Sequence, residues 1–145
     1  MKQSFMSQSV TARYAAFGAV LTVLSGIDGA KESALETVMG RALPLIMLDQ
    51  YVLGYNKMPE ELEKISDGSQ IPTSFILFAS VDEGTHQELK TGRMKKIEPK
   101  HYMSGHNIWI VDGGGPKADL QKVLEAFAVD RGLDDVNFAP GFGKW

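Results

Sequence analysis

The chain has no cysteine among its 145 residues. That excludes a disulfide framework, a thiolate zinc site and a cysteine nucleophile. Charge of one sign is also scarce. Fifteen Lys and Arg stand against eighteen Asp and Glu, for a net of −3 and a sequence pI of about 5.6. Without a basic surplus there is no electrostatic footprint for nucleic acid. Long apolar runs are missing as well. The most apolar stretch, Tyr14 to Leu24 (YAAFGAVLTVL), has eleven residues, whereas a bilayer span needs about 20. Lys2 and Arg13 precede it as they would the core of an export signal, but no small-x-small cleavage site follows. A buried amphipathic helix is expected there, with no membrane span and a cytoplasmic location (alternatively a virion).

Apolar residues make up 43% of the chain and charged residues 23%, the balance of a soluble domain. A length of 145 residues suits one domain, expected over 1–145. A globule of this size buries roughly two-thirds of its unfolded surface and needs no metal or disulfide staple. Neither an internal repeat nor a low-complexity segment is present.

Helical spacing runs from Ser9 to Ser25, with Tyr14, Phe17, Val20, Leu21 and Leu24 on one face and Gly26 as a stop. Ser9 or Thr11 could cap its start. A second helix is expected from Lys31 to Arg41 or slightly beyond, with Ala34, Leu35, Val38 and Met39 as its apolar stripe and Pro44 as a possible interruption. Gln50 to Tyr55 has strand composition. Asn56 to Gln70 is polar and charged and is expected to be a surface insertion. Pro72 opens the strand TSFILFASV, whose continuous core Phe75 to Ala79 predicts cover on both faces. Asp82 sits at a helix start and Gly92 at its end. Arg93 to Tyr102 is basic and is expected to loop across the surface. Asn107 to Asp112 is the strongest strand. Lys117 to Val129 is amphipathic, with Leu120, Val123, Leu124 and Phe127 in one stripe, and Pro116 suits its first turn. Val136 to Phe138 is a possible last strand, and 139–145 is a tail. The fold class that follows is α/β (α+β), a single-layer mixed sheet with helices on both faces.

The most chemical feature is Asp112 followed by Gly113, Gly114, Gly115, Pro116 and Lys117. Backbone without side chains lets a ligand approach closely, and a helix start offers unpaired N–H groups. A phosphate would fit, including that of a phosphopantetheine arm, with Lys117 adding charge. The pattern is neither a Walker loop nor G-x-G-x-x-G, and a plain tight turn would also use glycines. Asp112 closes its strand at the position where ligand crevices open, although helix caps use aspartate too. His86, His101 and His106 lack the spacing of a metal site and are expected on the solvated surface. No G-x-S-x-G elbow occurs. Phe142 and Trp145 in a polar tail suggest docking onto something, and hence a homo-oligomer or larger assembly.

Three stretches, LPLIMLDQYVL, PTSFILFASVDE and SGHNIWIVDGGGP, resemble the RTX-toxin-activating lysine acyltransferases. The resemblance covers roughly Phe17 to Phe127 and is best from Ser104-Gly105 through Pro116. It implies an N-acyltransferase-like fold. It also implies transfer of a fatty acyl group from acyl carrier protein, as a phosphopantetheine thioester, to a lysine-bearing protein, with no tightly bound cofactor. The family's catalytic pair is a histidine near the end of the first helical segment and the aspartate that ends the tryptophan-bearing strand. The aspartate maps onto Asp112. Ala30 occupies the histidine slot, and no histidine precedes His86. Amide formation needs a base or an acyl-accepting group, and alanine is neither. Asp28 and Lys31 stand nearby, and His106 is the histidine nearest Asp112 in sequence. The loop after the aspartate, GGGPK, also departs from the family's apolar-Pro-Phe-Gly pattern. Three readings compete: an acyl-carrier-dependent lysine acyltransferase; a non-catalytic assembly protein reusing the fold, such as a phage particle component; and a coenzyme A acetyltransferase, against which the absent [Q/R]-x-x-G-x-[G/A] pattern argues.

Overall fold

The strand built around Phe75 to Ala79 organises the molecule, because both of its faces are apolar and each collects helices. The computed structural model describes residues 8–27, 35–56 and 71–145. In chain order the elements are α1 (Gln8–Ser25), α2 (Leu35–Met47), β1 (Tyr51–Asn56), β2 (Ile71–Val81), α3 (Glu83–Lys90), β3 (Asn107–Gly114), α4 (Lys117–Arg131) and β4 (Asn137–Phe138), with a 3-10 turn at Pro99–His101. The strands form one sheet in the order β1-β2-β3-β4. β2 runs antiparallel to β1 and β3, and β4 pairs parallel to β3. The sheet is therefore mixed.

Alternation along β2 divides the core. Phe75, Leu77, Ala79 and Val81 pack with Val20, Leu24, Val38, Leu45 and Ile46 of α1 and α2. Ile76 and Phe78 pack with Ile110 and with Val123 and Phe127 of α4 on the opposite face. This is the expected mixed layer with helices on both sides.

Several elements differ in detail. α2 continues through Pro44 to Met47. Proline removes one helical N–H bond, and the burial of Ala42, Leu45 and Ile46 around it offsets that loss. The buried stripe of α2 is accordingly Val38, Ala42, Leu45 and Ile46, while Leu35 and Met39 are exposed. Ala34 lies outside the described residues. Tyr14 is exposed and Ala16 and Val23 take core positions of α1, and Ser9 and Thr11 lie inside that helix. The insertion expected at 56–70 lies outside the described residues except for Asn56, which ends β1. β3 extends through Gly113 and Gly114, so the loop before α4 begins at Gly115. Asp82 caps α3, its carboxylate accepting the Thr85 N–H at 2.7 Å. Residues 93–102 cross the surface but bury Ile97 and Tyr102.

One irregularity sets up the site. Leu77 pairs with Asp112 and Phe78 with Ile110, so Val111 is an extra residue in β3. In a regular strand Ile108, Ile110 and Asp112 would share the α4 face. The bulge reverses that phase and turns Asp112 toward α2, in keeping with the general use of bulges to re-aim a side chain.

Candidate functional site

Asp112 is 2% exposed, and both of its oxygens have partners. Oδ2 accepts from Arg41 Nε at 3.0 Å and from Arg41 Nη2. Oδ1 accepts the backbone N–H of Gly113 at 3.2 Å and that of Gly143 at 3.1 Å. Burial pushes the Asp112 carboxyl above the ordinary aspartate range, against the opposing pull of Arg41 and the two amides. Arg41 comes from the middle of α2, where it stands alone among Val38, Met39, Ala42 and Leu43. A cation so placed must find an anion.

The tail closes over this pair. Arg41 Nη1 donates to the Lys144 carbonyl. The guanidinium carbon lies 4.0 Å from the centre of the Trp145 ring, a cation–π distance. Trp145 Nε1–H donates to the Gly113 carbonyl at 2.9 Å, and its ring meets Phe75 edge-on. Phe142 packs against Phe138. The aromatic tail thus docks on its own domain, and that removes the reason for expecting it to dock on an assembly partner.

Beside Asp112 opens a cleft of about 590 Å³, within the usual range of small-molecule sites. Its apolar lining includes Ile97, Tyr102, Val111 and Ala139, and its basic lining includes Arg41, Lys95, Lys96 and Lys144, with Glu36 the one acid besides Asp112 among the described residues. Tyr102 is buried, and its hydroxyl is pushed above the usual tyrosine range first by burial and then by the Asp112 charge. A guanidinium carries five N–H groups. Two of those on Arg41 go to Asp112 and one to Lys144, which leaves two without a hydrogen-bond partner among the described residues.

The other residues singled out in the sequence fall elsewhere. Gly113 and Gly114 are buried strand residues, not loop. The Gly113 amide is spent on Asp112, and a Cβ on Gly114 would lie 2.8 Å from the Phe75 ring. Close packing accounts for these two glycines. Gly115 has a φ of +125°, which favours glycine, and with Pro116 it lines a second pocket of about 450 Å³ beside Thr22, Val23 and Ile27 of the first helical segment. Lys117 is exposed at the start of α4. None of these three lines the Asp112 cleft. His106 is exposed before the first residue of β3. Six residues along a strand at about 3.3 Å each put it close to 20 Å from Asp112, so the structure does not bring the two together. His86 is half-buried and its Nδ1 accepts the Trp109 indole N–H at 2.9 Å, while His101 has a buried Nδ1 with no hydrogen-bond partner among the described residues. Neither is a solvated surface group. Asp28, Ala30 and Lys31 lie outside the described residues. Among the described residues no group of three or more His, Asp or Glu could hold a metal, and no helix is long and apolar enough to cross a membrane.

Arg41, Tyr102, Lys95 and Lys96 are the site residues that sequence reasoning does not pick out, and Trp145, singled out there for docking, joins them. The isolated charge of Arg41 in an apolar helix was the available signal.

The model of the HlyC family, described as the RTX toxin acyltransferase family, matches residues 9–133. No curated protein matches the chain.

Proposed function

The chain belongs to the RTX toxin acyltransferase family, and on that premise we propose that it moves an acyl group from a thioester on acyl carrier protein to a lysine amine of another protein, in the cleft beside Asp112. The observation that carries this reading is the Arg41–Asp112 pair at the side of an open cleft, with two guanidinium donors uncommitted among the described residues.

Acyl transfer from a thioester to an amine forms a C–N bond, breaks the C–S bond and releases a thiol. Negative charge develops on the carbonyl oxygen as the amine attacks. Fixed donors aimed at that oxygen are commonly the largest source of rate, and the free N–H groups of Arg41 suit that role because Asp112 and Trp145 hold the guanidinium in place. The attacking nitrogen must also lose a proton. A carboxyl lifted by burial, as that of Asp112 is, is a better acceptor than an ordinary aspartate. In this reading Lys95 and Lys96, which line the cleft, meet the phosphate of the carrier's arm, and Ile97, Val111 and Ala139 offer apolar surface to an acyl chain.

A second reading rests on a specific observation: both Asp112 oxygens already have partners. On that reading the cleft binds the acyl carrier without turnover. One experiment separates the two. The purified chain is mixed with dodecanoyl-charged acyl carrier protein and a lysine-bearing protein, and both carrier binding and amide formation are measured. Binding with transfer supports the first reading. Binding without transfer supports the second, and no binding removes both.

A further inference from the structure

The tail presents a lysine to the cleft. Lys144 is exposed and lines it, and the backbone on either side of Lys144 is fixed by the site itself. The preceding amide, Gly143 N–H, donates to Asp112. The carbonyl of Lys144 accepts from Arg41. The following residue, Trp145, covers the Arg41 face and bonds to Gly113. Gly141 and Gly143 have φ of +85° and +73°, turns that bring the strap back to the site. Residues 134–145 lie beyond the 9–133 matched by the family. Lys95 and Lys96 line the cleft too, but the backbone bonds to Asp112 and Arg41 come from Gly113, Gly143 and Lys144.

We infer that Lys144 is an acyl-acceptor site, and that the chain acylates its own tail. The inference rests on the proposed transfer in this cleft. An acceptor tethered beside the reacting groups gains the advantage of an intramolecular reaction, and the strap supplies that tether. The Lys144 amine, having given its ammonium proton to solvent, attacks the thioester carbonyl carbon. The C–N bond forms, the C–S bond breaks, and the second amine proton passes by way of the Asp112 carboxylate to the departing thiolate, so that thioester and amine become amide and thiol. The product carries no charge at Nζ and leaves an acyl chain beside the apolar lining of the cleft.

The test uses the full chain and dodecanoyl-charged acyl carrier protein, with intact mass and peptide mapping as readouts. One acyl adduct is expected, on Lys144. It disappears in Lys144→Arg, which keeps the charge and removes the nucleophile. It forms at least about tenfold more slowly in Trp145→Ala, which unpins the tail, and more slowly in Asp112→Asn. An adduct on Lys95 or Lys96, one that persists in Lys144→Arg, or one that forms as fast in Asp112→Asn as in the wild type overturns the inference. So does an unmodified tail. In that case a separate lysine-bearing protein in the same tube decides the broader reading. If it is acylated, transfer in the cleft stands and only the self-acceptor fails; if it is not, both fail.

Discussion

Replacing Arg41 by glutamine strips the cation from a carboxylate whose side chain is 3% exposed. Removing one partner of a buried ion pair costs about 3–5 kcal/mol, because the remaining charge is left without compensation. Two features reduce that here. The Arg41 side chain is 28% exposed, and the Gly113 and Gly143 amides still hold Oδ1. A loss of about 2–4 kcal/mol at neutral pH follows. Asp112→Asn alone leaves a partly solvated guanidinium and costs less, about 1–2 kcal/mol. The double variant removes both charges, so it should be no less stable than Arg41→Gln, and the coupling energy from the cycle should be about 2 kcal/mol. Urea unfolding of the wild type and three variants measures it. As the pH falls and Asp112 takes up a proton, the ionic part of the coupling vanishes. A coupling below about 0.5 kcal/mol at neutral pH, the value of an exposed pair, would refute the claim that burial makes this pair matter.

The raised Asp112 carboxyl has its own pH signature. Between the ordinary aspartate range and its elevated value, the folded protein binds more protons than the unfolded chain, so this group's contribution to stability falls as pH rises through that window. The stability of the wild type minus that of Asp112→Asn, followed by urea melts across acidic pH, should fall with increasing pH and then level off; a difference that rises contradicts the direction. Gly115→Ala should destabilise by about 2–4 kcal/mol, since its φ is +125° and a Cβ would lie 2.5 Å from the Thr73 carbonyl oxygen. Gly141→Ala meets no atom within 4 Å and should cost only the left-handed strain, about 1 kcal/mol. Equal midpoints for the two alanine variants would show that close packing at Gly115 is unimportant.

The layered fold was legible because its signals are local. The alternating faces of β2 and the stripe on α4 are written in consecutive residues, and the caps at Asp82 and Gly92 mark their helix. The site was legible only through Asp112. Its partners Arg41 and Gly143 lie 71 and 31 positions away in the chain, Trp145, which covers Arg41, is as distant, and no spacing rule joins residues so far apart. The bulge at Val111 is likewise set by pairing with β2 and not by β3 itself. Without it the strand period would put Asp112 against α4. The glycine run misled for a related reason. Gly113 and Gly114 serve close packing inside the sheet, and a run of glycines looks the same whether backbone meets a ligand or a phenylalanine ring. For α2, the proline suggested a stop, but tertiary burial outweighed the lost bond.

The most direct test of transfer beside Asp112 is the single-turnover rate of amide formation from bound dodecanoyl-acyl carrier protein in the wild type and in Asp112→Asn, with carrier affinity measured alongside. The account predicts a rate about 10²–10⁴-fold lower in the variant, with affinity nearly unchanged. Equal rates in the two proteins, at equal affinity, would contradict it.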